Sequence, residues 1–260
     1  MYQDTIEKFA ESAITKRSML KNNLLKYLFS SILAGIYVGF GIFLIFTIGG
    51  AFAEQNSPSV KILMGVSFGI ALTLVIIAGA ELFTGNNMVM LIGNFSGKTT
   101  LADTLLIWTW SFIGNCIGSL FLAWLLSLSG LLSSSTANLL LKITDLKMHM
   151  PFLELLIRGI LCNMLVCLAV WMSMRVKEDT AKIFVIFWCL FAFITSGFEH
   201  SVANMTLLAI PLFGAHGDTI TWAGYARNIL IVSLGNVIGG GFLIGGTYAF
   251  ISSPSGLKTT

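Results

Sequence analysis

Stretches of more than about eighteen residues without a charge recur along this chain, and each is long enough to cross a bilayer as a helix. Nothing else constrains its fold as strongly. Of its 260 residues, 56% are hydrophobic and 10% charged, where a soluble domain carries roughly 25% charged residues. A soluble enzyme, a nucleic-acid reader and a disordered chain are excluded on that ground. The net charge of +3 is too small to point to a polyanionic partner, so no nucleic acid is expected. The chain reads as an all-α integral membrane protein.

Six apolar segments can be marked, at roughly 28–53, 62–93, 104–132, 155–174, 183–213 and 228–251. Lys and Arg between them set the orientation. A cytoplasmic N-terminus puts ten bases inside (Lys8, Lys16, Arg17, Lys21, Lys26, Lys98, Arg175, Lys177, Lys182, Lys258) and four outside (Lys61, Lys142, Lys147, Arg227). Both termini are therefore expected in the cytoplasm, with Arg158 reaching the outer interface from within the fourth segment. Residues 1–27 are too polar for a secretory signal. They read as a cytoplasmic amphipathic segment whose Ile6, Phe9, Ala10, Ala13, Ile14 and Arg17 fall near helical spacing. The expected division is this segment, a six-helix domain at 28–251, and a short cytoplasmic tail at 252–260. Cys116, Cys162, Cys167 and Cys189 lie in apolar segments without a CxxC pair and read as small hydrophobes, so no metal and no cofactor is expected.

The two halves repeat. Gly79-Ala-Glu81-Leu-Phe-Thr-Gly-Asn86 in the second segment and Gly197-Phe-Glu199-His-Ser-Val-Ala-Asn204 in the fifth share G-x-E-x4-N. Gly114-Asn115 and Gly118 in the third answer Gly235-Asn236 and Gly239 in the sixth. A weaker pair joins Gly35-Ile36 to Gly159-Ile160, so the offsets are 118, 121 and 124 residues. With three segments per copy, at about 28–132 and 155–251, the second copy must start from the opposite membrane face. That predicts inverted repeats, with helices 2 and 5 broken at the midplane.

Glu81, Thr84, Gly85, Asn86 and Asn87 in one segment, and Glu199, His200, Ser201 and Asn204 in the other, are costly in lipid unless they line a cavity. Half-helix N-termini facing a gap are partially positive and can hold an anion. Asn86, Asn204, Asn115 and Asn236 read as structural, bonding freed backbone groups or neighbouring helices. Glu81 and Glu199 occupy equivalent places, so loop structuring by accepting loop amides is favoured over a conducting role, since a bare carboxylate repels an anion. For Thr84, bonding its own helix and lining a pore are both open. His200 is the one titratable base well inside a segment, and Leu82 takes its place in the other copy. An ionisable group there is a functional candidate that can attract an anion as imidazolium or hand over a proton.

Those two motifs together resemble the formate/nitrite transporter family, over about residues 1–250. Leu74–Gly85 and Asn163–Met172 are most similar to its nitrite and hydrosulfide branches rather than the formate branch. The resemblance implies an aquaporin-like fold in the bacterial cytoplasmic (inner) membrane, a homopentamer with one pore per subunit. It implies a central polar site of Thr84, Asn163 and His200 between two apolar constrictions, Leu82 on the cytoplasmic side and Phe68, Leu72 and Phe193 on the periplasmic side. Lys147 would draw anions into the outer vestibule.

The expected function is therefore a channel for small monovalent anions of weak acids, such as nitrite, hydrosulfide or formate. Proton-coupled symport through His200 is the alternative. A neutral-solute channel of aquaporin type is the further rival, although the prolines (Pro58, Pro151, Pro211, Pro254) allow no Asn-Pro-Ala turn. A membrane enzyme or electron carrier would need paired histidines or a metal-binding cluster that one intramembrane histidine cannot supply.

Overall fold

The computed structural model describes residues 2–252, and the expected tail beyond Ser252 lies outside them. Every regular element among the described residues is helical. In chain order these are α1 (Gln3–Asn22), α2 (Leu24–Ala53), α3 (Val60–Ser67), α4 (Gly69–Thr73), a π-helical stretch at Leu74–Gly79, α5 (Phe83–Phe95) and α6 (Leu101–Leu128). They continue with α7 (Ser134–His149), α8 (Phe152–Arg175), α9 (Asp179–Ser196), α10 (Ser201–Leu212), α11 (Trp222–Asn236), a second π-helical stretch at Val237–Gly246 and α12 (Thr247–Ser252).

Six helical runs are long and apolar enough to cross a membrane: Leu24–Ala53, Val60–Gly79, Leu101–Leu128, Phe152–Arg175, Asp179–Ser196 and Trp222–Ser252. Their outer faces carry exposed large side chains such as Phe29, Leu105, Trp188 and Leu230, a surface suited to hydrocarbon rather than water. The apolar stretches 62–93 and 183–213 each resolve into a long helix and a short one. Residues 83–93 of α5 and all of α10 are buried.

The chain is non-helical at residues 80–82 and 198–200. Both sites are reached in the same way. Gly79 and Gly197 take φ of 84° and 76°, the left-handed region that glycine adopts without penalty. The next N–H then folds back on the helix end, Ala80 N to Val75 O at 3.0 Å and Phe198 N to Phe193 O at 3.0 Å, which is the bond of a Schellman ending. Extended residues follow, and a new helix begins at Phe83 or Ser201.

Close packing depends on small residues. A Cβ on Gly118 would strike the Ile32 carbonyl, and one on Gly239 the Ile160 carbonyl. Glu81 N donates to Ser30 O at 3.2 Å, and Glu199 N to Arg158 O at 3.1 Å. These equivalences pair Ser30 with Arg158 and Ile32 with Ile160, an offset of 128 residues and not the 124 read from Gly35-Ile36 and Gly159-Ile160. The sequence pairing was one helical turn out of register, because a lone Gly-Ile dipeptide does not fix register along an otherwise uniform apolar helix.

Two segments differ from their sequence reading. The connection after the third apolar segment contains α7, capped by Ser133, which accepts from Thr136 N. It is seated by Thr136, Leu140, Thr144 and Met148, all buried on one face. α1 is helical as its spacing suggests, yet its stripe faces protein. Phe9 stacks on Trp171 of α8 at 5.3 Å between ring centroids, and Trp171 stacks on Tyr248 of α12 at 3.9 Å.

Candidate functional site

Asn115 and Asn236 hold the two non-helical segments. Phe83 N donates to Asn115 Oδ1 at 2.9 Å, while Asn115 Nδ2 donates to Ser31 O (2.7 Å) and Glu81 O (2.9 Å). Ser201 N donates to Asn236 Oδ1 at 2.9 Å, while Asn236 Nδ2 donates to Gly159 O (2.7 Å) and Glu199 O (3.1 Å). Each side chain therefore satisfies the freed N–H and a loop carbonyl, groups that would be costly to bury unpaired. The carboxylates of Glu81 and Glu199, expected to accept loop amides, take other partners. Lys16 donates to Glu81 at 2.7 and 2.8 Å, and Asn86 Nδ2 adds a bond of 3.1 Å. Lys147 donates to Glu199 at 2.6 and 2.7 Å, and Asn204 Nδ2 adds one of 2.7 Å. The loop amides have other acceptors because Asn115 and Asn236 reach them first.

Leu82 and His200 are the last residues before α5 and α10, and both border one small cavity. It has a volume of about 10 Å³ and is walled also by Phe68, Leu72 and Phe193, with Phe68 and Phe193 edge to face at 5.5 Å. That is about the room one water needs. Val38, Ala71, Val166 and Leu190 complete the wall; sequence reading missed them, since an apolar residue facing a cavity carries the same signature as one facing a core.

Thr84 and Asn163 stand behind His200 and do not border that space. Ala203 N donates to His200 Nδ1 at 3.1 Å, so Nδ1 carries a lone pair and the neutral ring bears its proton on Nε2. Nε2 lies 2.9 Å from Thr84 Oγ1, which accepts that proton. Asn163 Nδ2 donates to Thr84 O (3.1 Å), Asn87 Oδ1 (3.1 Å) and Asn236 O (2.7 Å), linking both halves. Gly240 makes room for it, for a Cβ there would collide with the Asn163 amide.

On either side of the small cavity lies a cleft of about 560 Å³. The first contains Lys16, Glu81 and Leu82; the second contains Lys147, Glu199, Phe193 and His200. Leu72, expected beside Phe68 and Phe193, borders the small cavity with them and also the first cleft together with Leu82. It lies on the face of the helix turned towards the residue 80–82 segment, which motif matching alone does not reveal. Lys147, expected to draw anions into the outer vestibule, is ion-paired to Glu199 and also donates to Asn204 Oδ1 at 3.2 Å. In the sequence Lys16 is one of many bases of a polar N-terminus. Its partner Glu81 is 65 residues away, so no local pattern signals the pair. Among the described residues no group of three or more His, Cys, Asp or Glu is placed to hold a metal ion.

Six helices long and apolar enough to span a membrane, a narrow, mostly apolar constriction beside two non-helical segments and a charged cleft next to each of these define a multi-pass membrane transport protein. A sequence model described as "Formate/nitrite transporter" matches residues 3–250, and the chain belongs to that family. It is 45% identical over 258 residues to the nitrite transporter NirC of Salmonella typhimurium, covering 98% of this chain and 94% of that one. It is 36% identical to the formate channel BtFdhC of Bacillus thuringiensis, covering 83% of each chain. Among solved structures, an FNT family ion channel superposes with a TM-score of 0.91 at 43% identity, covering 96% of this chain and 99% of that one. A pentameric formate channel with formate bound superposes with a TM-score of 0.73 at 28% identity, covering 89% and 98%.

Proposed function

We propose that the protein is a channel for small monovalent anions of weak acids, nitrite and formate first and hydrosulfide as a further substrate. The observation that carries this reading is the cavity of about 10 Å³, apolar except for His200, lying between two clefts that each hold a lysine–glutamate pair. Apolar walls exclude hydrated ions, while fixed dipoles replace part of the hydration lost by a small anion. In this reading Leu72 and Leu82 form one constriction and Phe68 and Phe193 the other. His200 is the polar group between them, its ring held by Ala203 N and Thr84 and exchanging its bond to Thr84 for one to a passing anion, while Asn163 holds the Thr84 backbone, and Lys147 with Lys16 steadies anions at the mouths. Glu81, Asn86, Glu199 and Asn204 hold the loops.

The chain is further proposed to consist of two inverted three-helix repeats, residues 24–128 and 152–252, with both non-helical segments at the midplane. Equal bonds made by Asn115 and Asn236 support that reading. Both termini then face the cytoplasm, the Lys147 cleft faces outward, and residues 1–27 form a cytoplasmic segment docked on the bundle. By analogy with the pentameric formate channel, five copies assemble with one pore each, in the bacterial inner membrane.

Conduction without a histidine proton relay is favoured over symport by the Ala203 N–H bond to His200 Nδ1. Charging the ring would put a second proton on the nitrogen that caps α10. Liposomes containing the protein and an internal pH dye separate the two. Nitrite or formate uptake with charge moving and no accompanying proton supports the channel; one proton per anion supports the symporter. Osmotic water flow without anion flux would overturn both.

A further inference from the structure

The wall of the small cavity is shaped from behind by a residue that does not border it. Val38 on α2 lines the cavity, as do Phe68 and Ala71 on the facing run of α3 and α4. Gly41, one turn beyond Val38 on α2, is buried and stands outside that wall. A Cβ on Gly41 would lie 2.7 Å from Ala71 Cβ, 3.1 Å from Phe68 Cε2 and 3.3 Å from Ala71 Cα. The room a side chain would take at position 41 is therefore already filled by α4 and the edge of the Phe68 ring. On its far side the run of α3 and α4 is seated on α9, where a Cβ on Gly65 would strike Thr195 Oγ1. Held between α2 and α9, these helices cannot back away from a group added at Gly41. The part left free to move is the Phe68 ring, whose other neighbours are the cavity and Phe193, edge to face at 5.5 Å.

We infer that Gly41 is a positioning residue for conduction: by carrying no side chain it seats the Phe68 ring back from the cavity and so sets the width of the constriction that Phe68 forms with Phe193. The inference rests on the anion channel proposed above, in which that pair is one of two constrictions. A methyl group at position 41 drives the ring towards Phe193. A space with about the room of one water then becomes too narrow for an anion stripped of its hydration. Gly39, two residues earlier, gives the contrast. A Cβ there would meet Leu122 Cδ2 at 2.6 Å and Thr206 Oγ1 at 2.8 Å, and neither residue borders the cavity. Crowding at either glycine disturbs packing, but only crowding at Gly41 reaches the path.

The test is nitrite flux per mole of folded protein in liposomes, with melting in detergent, for Gly41→Ala, Gly39→Ala, Phe68→Leu and Gly41→Ala combined with Phe68→Leu. Both glycine variants should melt below wild type. Gly41→Ala should lower flux about fivefold or more, while Gly39→Ala stays within about twofold of wild type. Phe68→Leu removes the ring edge, so adding Gly41→Ala to it should change flux by less than about twofold, the non-additivity of two residues acting through one contact. Where Gly41→Ala alone does not fold, the comparison is made on an Ala71→Gly background, which removes the methyl 2.7 Å away and leaves the ring contact; adding Gly41→Ala to it should again lower flux about fivefold or more. Flux unchanged or raised by Gly41→Ala, lowered as far by Gly39→Ala, or lowered equally with and without the Phe68 ring overturns the inference and leaves the channel intact. Absence of nitrite flux in wild type overturns the channel reading, and this inference with it.

Discussion

The non-helical segments at 80–82 and 198–200 are built alike and equipped differently. Both follow a left-handed glycine, both are pinned by an asparagine from a neighbouring helix, and both place a glutamate against a lysine. The first then ends on Leu82, which offers α5 no side-chain cap, and the second on His200, which accepts from Ala203 N. The shared bonds solve one problem, stopping and restarting a helix without leaving buried backbone groups unpaired. What is not shared marks the side on which a polar group meets the cavity. Repetition thus separates the residues that hold the fold from the one that gives the cavity its chemistry.

The largest effects should come from the asparagines. Asn115→Ala strips partners from Phe83 N, Ser31 O and Glu81 O, and Asn236→Ala from Ser201 N, Gly159 O and Glu199 O. Ser31 O and Gly159 O lie inside α2 and α8 and keep their helical donors, so at about 1–3 kcal/mol for each of the two groups left unpaired, each variant should lose about 2 kcal/mol or more. Melting in detergent should show the two losses to be similar; a loss in one half only would mean that the halves are not held by the same bonds.

Next come the glutamates, where the halves should diverge. The Glu199 side chain is 3% exposed and that of Glu81 is 13%. Glu199→Gln leaves Lys147 charged among buried groups and should cost about 3 kcal/mol, in the range for breaking a buried pair. Glu81→Gln should cost less, because the Glu81 side chain is the more exposed of the two and water weakens its pair with Lys16. Equal losses in a melting comparison would remove burial as the reason for the difference.

How much of this was legible beforehand follows from the type of signal involved. Charge-free runs announce a membrane helix, and paired G-x-E-x4-N motifs match Glu81 with Glu199 and Leu82 with His200 without a structure. Lys16 with Glu81, and Val38 or Leu190 on the cavity wall, were not legible, because a pair 65 residues apart and an apolar residue at a cavity leave no local pattern. That Leu72 reaches the first cleft as well as the cavity it shares with Phe68 and Phe193 was not legible for a related reason: a motif fixes which helix a residue occupies but not which way its side chain turns.

His200→Leu converts the second segment to the form of the first. It removes the α10 cap, worth about 1 kcal/mol, and the donor to Thr84. Anion flux into liposomes should fall at least tenfold while helix content by circular dichroism stays close to wild type. Unchanged flux would mean that the asymmetry at this position is incidental. The smallest effect is expected of Leu82→Val, which trims one methylene from the constriction and should raise flux about twofold, read by stopped-flow uptake.

The central claim is that anions cross through the cavity bounded by Leu82 and His200 and by no other route. The most direct measurement is nitrite flux through Leu82→Trp in liposomes, with melting in detergent to establish that the bundle is intact. A cavity of about 10 Å³ has no room for an indole, so flux should fall at least tenfold while the bundle stays folded at a cost of about 1–3 kcal/mol from overpacking. A stable Leu82→Trp protein that conducts as wild type would put the path elsewhere.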